Sequence, residues 1–204
     1  MGGGSGIVQK KRYEPRSSAY VPVSTLIEIE KQEPPRQALL MELMRRRGFR
    51  LSDIIGIAKK YNVFHGLRPI DIDAVPLKGS KHSVRLLRKK GIFAVKTLPD
   101  DLYARLQAQI KEYGTKPAER IFPYHRTTVW HWYNKYGLKC VDERYNLSPH
   151  CVRRSFGKDY IAKGGSLVSL QKHFSHRRLG QTLEYLGEAE DAANKELLEM
   201  EAGK

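Results

Sequence analysis

At 204 residues, 40% hydrophobic and 29% charged, the chain can bury one respectable core, and a single domain with appendages is expected. A net charge of +15 and a pI near 9.8 point to a polyanionic partner, nucleic acid ahead of a membrane surface. No apolar run reaches bilayer-spanning length and no signal-like segment opens the chain, which predicts a cytoplasmic protein. Cys140 and Cys151 are too few for a disulfide framework and form no paired zinc pattern, so both are read as reduced and structural.

Residues 1–35 are expected to be a flexible basic N-terminal segment. MGGGSGIVQKKRYEPR mixes Gly and Ser with basic residues and has no hydrophobic period, and YVPVSTLIEIE is interrupted by proline and alternates only weakly. Lys10, Lys11 and Arg12 suit either a solvated tail or contact with phosphates. The folded domain is expected over residues 36–187. Ala38, Leu39, Met41, Leu43 and Met44 predict a first helix; Leu51, Ile54, Ile55, Ile57 and Ala58 predict a second, capped near Ser52. Arg45, Arg46 and Arg47 between them fit a solvated helix end or a phosphate-contacting patch.

In NVFHGLRPIDIDAVPL, Pro69 suits the first turn of a new element, and Asp71 stands three residues beyond Arg68, a spacing that lets the carboxylate orient the guanidinium. Residues 83–98 read as two strands joined by a tight turn at Lys89, Lys90 and Gly91. Residues 99–113 carry an acidic first turn after proline, then Leu102, Leu106 and Ile110 on one helical face. IFPYHRTTVWHWYNKYGL predicts a helix through Trp130 and Trp132, capped at Thr127 or Thr128. At least one tryptophan should be core, while Arg126, His131 and Lys135 are suited to face nucleic acid.

The stretch SPHCVRRSFGKDYIAKGGSLVSLQKHFSHRRLGQTLEY concentrates cations, proton carriers and a phenol. A phosphodiester under attack gathers charge on its equatorial oxygens and needs those three types of group. Ser148 and Pro149 signal a helix start, which places His150 and Arg153 on one face of the first turns. Leu167 and Leu170 mark a further helix, His173 reads as a satisfied structural histidine, and a last helix over residues 179–186 carries Tyr185. A zinc site from His150, Cys151, His173 and His176 matches no standard spacing, and neither a metal nor a cofactor is expected.

As a set, HGLRPID around Arg68, RKKG around Lys89, PHCVRRSF with His150 and Arg153, and LQKHFSHRRLGQTLEY with His176 and Tyr185 resemble the tyrosine recombinases, the phage-integrase-type site-specific recombinases. The order Arg, Lys, His-x-x-Arg, His, Tyr is theirs, as are the gaps of 23 (153 to 176) and nine (176 to 185). Where that family usually has Gly before its second histidine, this chain has Ser175.

The resemblance implies an α+β, mainly α, tyrosine recombinase catalytic-domain fold with a small antiparallel three-stranded sheet on one side. It implies catalytic residues Arg68, Lys89, His150, Arg153, His176 and Tyr185, with Arg50 in RGFRLSDI as an alternative first arginine and Lys90, Lys78 or Lys81 as alternatives to Lys89. The implied reaction cleaves and rejoins double-stranded DNA through a 3′-phosphotyrosyl intermediate without metal or ATP. Related alternatives are a type IB topoisomerase, a telomere-resolvase-like enzyme or a catalytically silent DNA-binding protein on the same fold. By the same resemblance the protein would be nucleoid-associated, monomeric when free and tetrameric on DNA, with the acidic helix at 188–204 docking on a neighbouring protomer or folding back on its own domain. The residues before Arg36 are too few for the N-terminal core-binding domain of larger recombinases, which fits either an isolated catalytic domain or a minimal recombinase.

Overall fold

The computed structural model describes residues 19–59, 62–87, 92–141 and 143–186. Prolines set the start of the fold: Pro22 precedes α1 (Val23–Lys31), and Pro35 occupies the first turn of α2 (Pro35–Arg47), where a missing N–H costs nothing. The folded unit therefore begins well before residue 36. Ala19, Val21, Leu26 and Ile29 are buried in the main core, and the Val21 N–H donates to Ser155 Oγ at 2.9 Å. The weak alternation of this stretch also places Leu26 and Ile29 one helical turn apart, and it is that period that folds.

α2 is the central helix, with Leu39, Leu40, Met41, Leu43 and Met44 each no more than 2% exposed, and it packs against α1, α4 and α6. It ends at Gly48, whose φ of +56° favours glycine and whose space is filled on one side by Phe156: a Cβ here would lie 2.4 Å from Phe156 Cδ1. The arginine triplet before it is not a freely solvated end. Arg45 forks onto Glu30, Arg46 reaches Glu42 and forks onto Asp101, and Arg47 donates through Nη2 to Thr97 Oγ1, fastening the end of α2 to α1, α4 and β4.

Three residues, Gly48 to Arg50, lead to α3 (Leu51–Ile55), whose N-cap position is Arg50, with Asp53 accepting from the Arg50 N–H at 3.4 Å. β1 (Ile57–Lys59) and β2 (Asn62–Phe64) pair antiparallel, as do β3 (His82–Leu87) and β4 (Phe93–Leu98), in register His82 to Leu98 and Leu87 to Phe93. The expected three-stranded sheet is two-stranded: its third member is reduced to one bridge, Ile72 to Val84, on the free edge of β3. Asp73 bends the chain away there with φ +52°, and its carboxylate takes the Ser83 N–H at 2.7 Å.

α4 (Asp100–Glu112) buries Leu102 and Leu106 as its period requires. α5 (Arg126–Asn134) starts at His125, whose Nδ1 accepts from the Thr127 N–H; Trp132 packs edge-to-face on Tyr124 at the core, while Trp130 remains 44% exposed. α6 (Pro149–Ala162) is capped by Ser148. α7 (Leu167–Phe174) and α8 (Leu179–Leu186) form a small second cluster in which Leu170, Phe174 and Leu186 are buried against Phe156, Tyr160 and Ile161. Gly157 lets α8 close on α6, since a Cβ there would meet Leu186 at 2.8 Å. Among the described residues no helix is long and apolar enough to cross a membrane. The acidic segment 188–204 lies outside the described residues.

Candidate active site

The N-terminus of α6 opens onto a cavity of about 260 Å³, lined by Arg50, Ser52, Arg126, Trp130, Ser148, His150 and Arg153 among others. None of the described residues lining it is acidic. Three arginines, a histidine and the positive end of a 14-residue helix make it a receptor for an anion.

Arg153 is 3% exposed; it donates to the carbonyl oxygens of Gly48 and Phe174, the latter at 3.2 Å, and its guanidinium lies 4.0 Å from the Phe174 ring. Arg50 donates to the same Phe174 carbonyl at 2.9 Å. Two guanidiniums thus converge on one carbonyl at the wall of a basic cavity, and guanidinium is the cation whose planar donor set suits a phosphate. His150 reaches solvent at the cavity. Burial of its ring, reinforced by Arg126, Arg153, Arg154 and Arg50, holds it below the ordinary histidine value and so neutral at neutral pH.

Arg68 is not part of this cluster. It lines a different, larger cavity with Arg36, His65 and Arg120, and its Nε and Nη2 fork onto Asp71 at 2.8 and 3.2 Å. Arg85 holds the other side of the same buried carboxylate at 3.0 Å, so the Arg68–Asp71 pair is a structural ion pair that pins the Pro69–Asp71 turn to β3. In the sequence Arg68 is the better spaced of the two from the 83–98 hairpin, and both arginines precede an aspartate by three residues, so local pattern does not reveal which one faces the cavity. Arg50 caps a short helix whose preceding turn, at Gly48, is braced by Arg153 itself, and that long-range contact has no local signature.

His176 follows Ser175, which adopts the left-handed conformation (φ +55°, ψ +44°) that ends α7. This is the position where glycine suits best, and serine meets the same backbone demand with some strain. The histidine is thereby turned inward: its Nδ1 lies 3.0 Å from Oγ1 of the fully buried Thr182, and its ring meets the edge of Tyr185 at 5.6 Å. The Tyr185 hydroxyl donates to the His150 carbonyl at 3.2 Å, and Arg154 stacks 4.8 Å over the phenol while donating to the Tyr185 carbonyl. Burial lifts the Tyr185 phenol above its ordinary value, with Arg153, Arg154 and Arg50 pulling the other way.

His150, Arg153, His176 and Tyr185 are thus brought together as expected, with Arg50 in place of Arg68. Lys89 lies outside the described residues. The hairpin that carries it is docked on the same region, since Lys96 Nζ donates to the His173 carbonyl at 2.8 Å. His173 donates Nε2–H to the Arg47 carbonyl at 2.7 Å and is structural, and Lys135 is paired with Glu33 at 2.7 Å. Arg126, in contrast, does line the cavity. Among the described residues no cluster of metal-ligating side chains occurs.

The phage integrase family model matches residues 22–191. The chain belongs to that family. Among relatives, it is 28% identical over 170 residues to tyrosine recombinase XerC of Psychromonas ingrahamii (strain DSM 17664 / CCUG 51855 / 37), covering 78% of this chain and 52% of that protein. It therefore spans about half the length of the curated relative it matches. The fold is that of solved tyrosine recombinases: XerA recombinase (TM-score 0.58, 16% identity, 82% of this chain and 57% of that one) and XerH site-specific recombinase bound to palindromic difH substrate in a post-cleavage complex (TM-score 0.62, 12% identity, 89% and 53%). This phage integrase family domain starts its match at the base of α1, in keeping with the buried residues there.

Proposed function

We propose that the chain is the catalytic domain of a site-specific DNA recombinase or integrase that cleaves and rejoins strands through a covalent 3′-phosphotyrosyl intermediate. The observation that carries this reading is the convergence of Arg50 and Arg153 on the Phe174 carbonyl, at a basic cavity shared by His150 and beside the Tyr185 hydroxyl.

In this reading a scissile phosphate occupies the cavity. Arg50 and Arg153 each fork onto its non-bridging oxygens, and the end of α6 adds its dipole. Tyr185 Oη attacks phosphorus, forming the phosphotyrosyl ester while the bond to the 5′ oxygen breaks. Because the phenol keeps its proton at neutral pH, a base is needed. His150, held neutral and bonded through its own carbonyl to Tyr185, is placed to assist proton movement. His176, its ring fixed by Thr182, hydrogen-bonds the developing charge. Lys89 on the β3–β4 turn donates the proton that the departing 5′ oxygen takes up. Each transfer exchanges one ester for another, so the reverse step with a partner's 5′ hydroxyl needs no ATP. Double-stranded DNA is the partner, and the complete reaction engages a tetramer of chains on two duplexes.

The test is trapping on a nicked suicide substrate built from the DNA flanking the gene. Wild type forms a protein–DNA adduct stable to denaturant, and Tyr185→Phe forms none. An adduct on the Phe variant would sink the nucleophile assignment.

A further inference from the structure

Cys140 and Cys151 take no part in the chemistry above, yet their sulfurs lie 3.0 Å apart in the interior, the two residues being 3% and 4% exposed. A disulfide needs about 2.05 Å, so closure by about 1 Å joins them. The approach is built by the backbone. Residues 139 and 146 bridge antiparallel, the Cys140 N–H donates to the Tyr145 carbonyl at 2.9 Å, and the Leu147 N–H returns to Leu138 at 3.1 Å. Both thiols are also aimed at one acceptor, the Asn146 carbonyl, at 3.6 Å each.

Cys151 stands in the first turn of α6, next to His150 and two residues before Arg153. Its Sγ is 3.1 Å from Oγ of Ser148, the residue that caps α6 and lines the basic cavity. One side chain thus separates this thiol from the cavity. The hydrogen bond with Cys140, then those of Ser148 and the charge of Arg154, hold the Cys151 thiol below its ordinary value against the effect of burial. Thiolate character at a helix N-terminus beside a second thiol favours oxidation wherever a small oxidant gains access, and the cavity wall at Ser148 is the route to this buried sulfur.

We propose that Cys140 and Cys151 form a reversible oxidation site, converted by a hydroperoxide into a disulfide that ties the turn at residues 139–146 to the first turn of α6 and lowers the activity of the site there. The Cys151 thiolate attacks the peroxide: an S–O bond forms, the O–O bond breaks, and the departing oxygen takes a proton and leaves as water or an alcohol. Cys140 sulfur then attacks Cys151 sulfur, the S–O bond breaks, and the hydroxyl leaves as water with the Cys140 proton. The two sulfurs together lose two electrons, which the peroxide gains. Drawing Cys151 Sγ toward Cys140 pulls it from Ser148, loosening the cap and displacing His150. The effect on activity rests on the proposed function; the disulfide itself does not.

The test treats the full chain with hydrogen peroxide and reads intact mass, a non-reducing peptide map and the imidazole NMR signals. The expected result is the loss of two hydrogens, one cross-linked peptide pair joining Cys140 and Cys151, a shifted His150 signal, and reversal by dithiothreitol. Cys140→Ser gives no cross-link, and dimedone traps a sulfenic acid on Cys151. Suicide-substrate cleavage falls at least about tenfold on oxidation of the wild type and not of Cys140→Ser, the loss expected when an acid–base group is misplaced. Absence of the cross-link in folded protein whose thiols both react once unfolded overturns the site. Full cross-linking with unchanged His150 signals and cleavage overturns the switch. If the reduced protein cleaves nothing, the recombinase reading fails, while the cross-link and the NMR shift still decide this proposal.

Discussion

Arg50, His150 and Arg153 stand beside the main core, where α2 and α4 bury large apolar side chains completely, whereas His176 lies in the turn between α7 and α8 and Tyr185 on α8, a unit whose buried apolar residues are Leu170, Phe174 and Leu186. The first region holds the groups proposed to clamp a phosphate, and the second holds the proposed nucleophile. Free energies of local opening follow buried apolar contact, so the anion receptor is rigid and the α7–α8 unit is the part that can be repositioned at low cost. The Phe174 carbonyl, which accepts from both Arg50 and Arg153, is the joint between the two.

The largest effect is expected from breaking the rigid side. Arg50→Ala should lower suicide-substrate cleavage by about 10²–10³-fold, the scale of losing one preorganised charge donor, with little change in thermal midpoint. Arg68→Ala should do the opposite: cleavage per folded molecule stays near wild type while stability falls by about 1–3 kcal/mol, because Asp71 is left with only part of its buried pairing. Cleavage lost in Arg68→Ala but kept in Arg50→Ala would reverse the assignment of the first arginine.

Next comes the satellite. Leu170→Ala should cost about 2–4 kcal/mol, felt locally. Hydrogen exchange should speed up in α7 and α8 while amides of α2 keep their protection. Equal acceleration in both regions would show that they unfold as one unit.

A smaller effect is expected from pH. His173 is pushed down to about 3, by burial first and then by Lys96, Arg47 and Arg153, although its bond to the Arg47 carbonyl works against the shift. Unfolded, it protonates near about 6.5, so between these values the unfolded state holds more protons and stability falls as the pH falls. The slope reaches at most about 1.4 kcal/mol per pH unit, less whatever solvent screens. His173→Gln should flatten the decline in urea midpoint between pH 6.5 and 4, and an unchanged decline would remove this histidine as its cause.

The smallest change is Ser175→Gly, which relieves the left-handed strain at the end of α7 and should raise stability by about 0.5–1 kcal/mol with cleavage unchanged. A loss of stability would show that the serine side chain compensates for its backbone.

Local pattern alone determined much of this protein. Ser148 and Pro149 start α6, the span 179–186 is α8, the 83–98 hairpin pairs as its strand character required, and His150, Arg153, His176 and Tyr185, singled out by type and spacing, are residues that the fold brings together. Those features rest on period, caps and turn chemistry, which act over a few residues. Tertiary structure decided the rest. Arg68 and Arg50 carry the same local motif, Arg and Asp three apart, and only the fold turns one toward Arg85 and the other toward Arg153. The same holds for α1, whose two buried residues needed α2 and α6 to make them core, for the third strand that Asp73 cuts to a single bridge, and for the two cysteines eleven residues apart that a folded-back turn brings into contact. Long-range contacts choose among local signals of equal strength, and which arginine lines the basic cavity beside α6 is one of those choices.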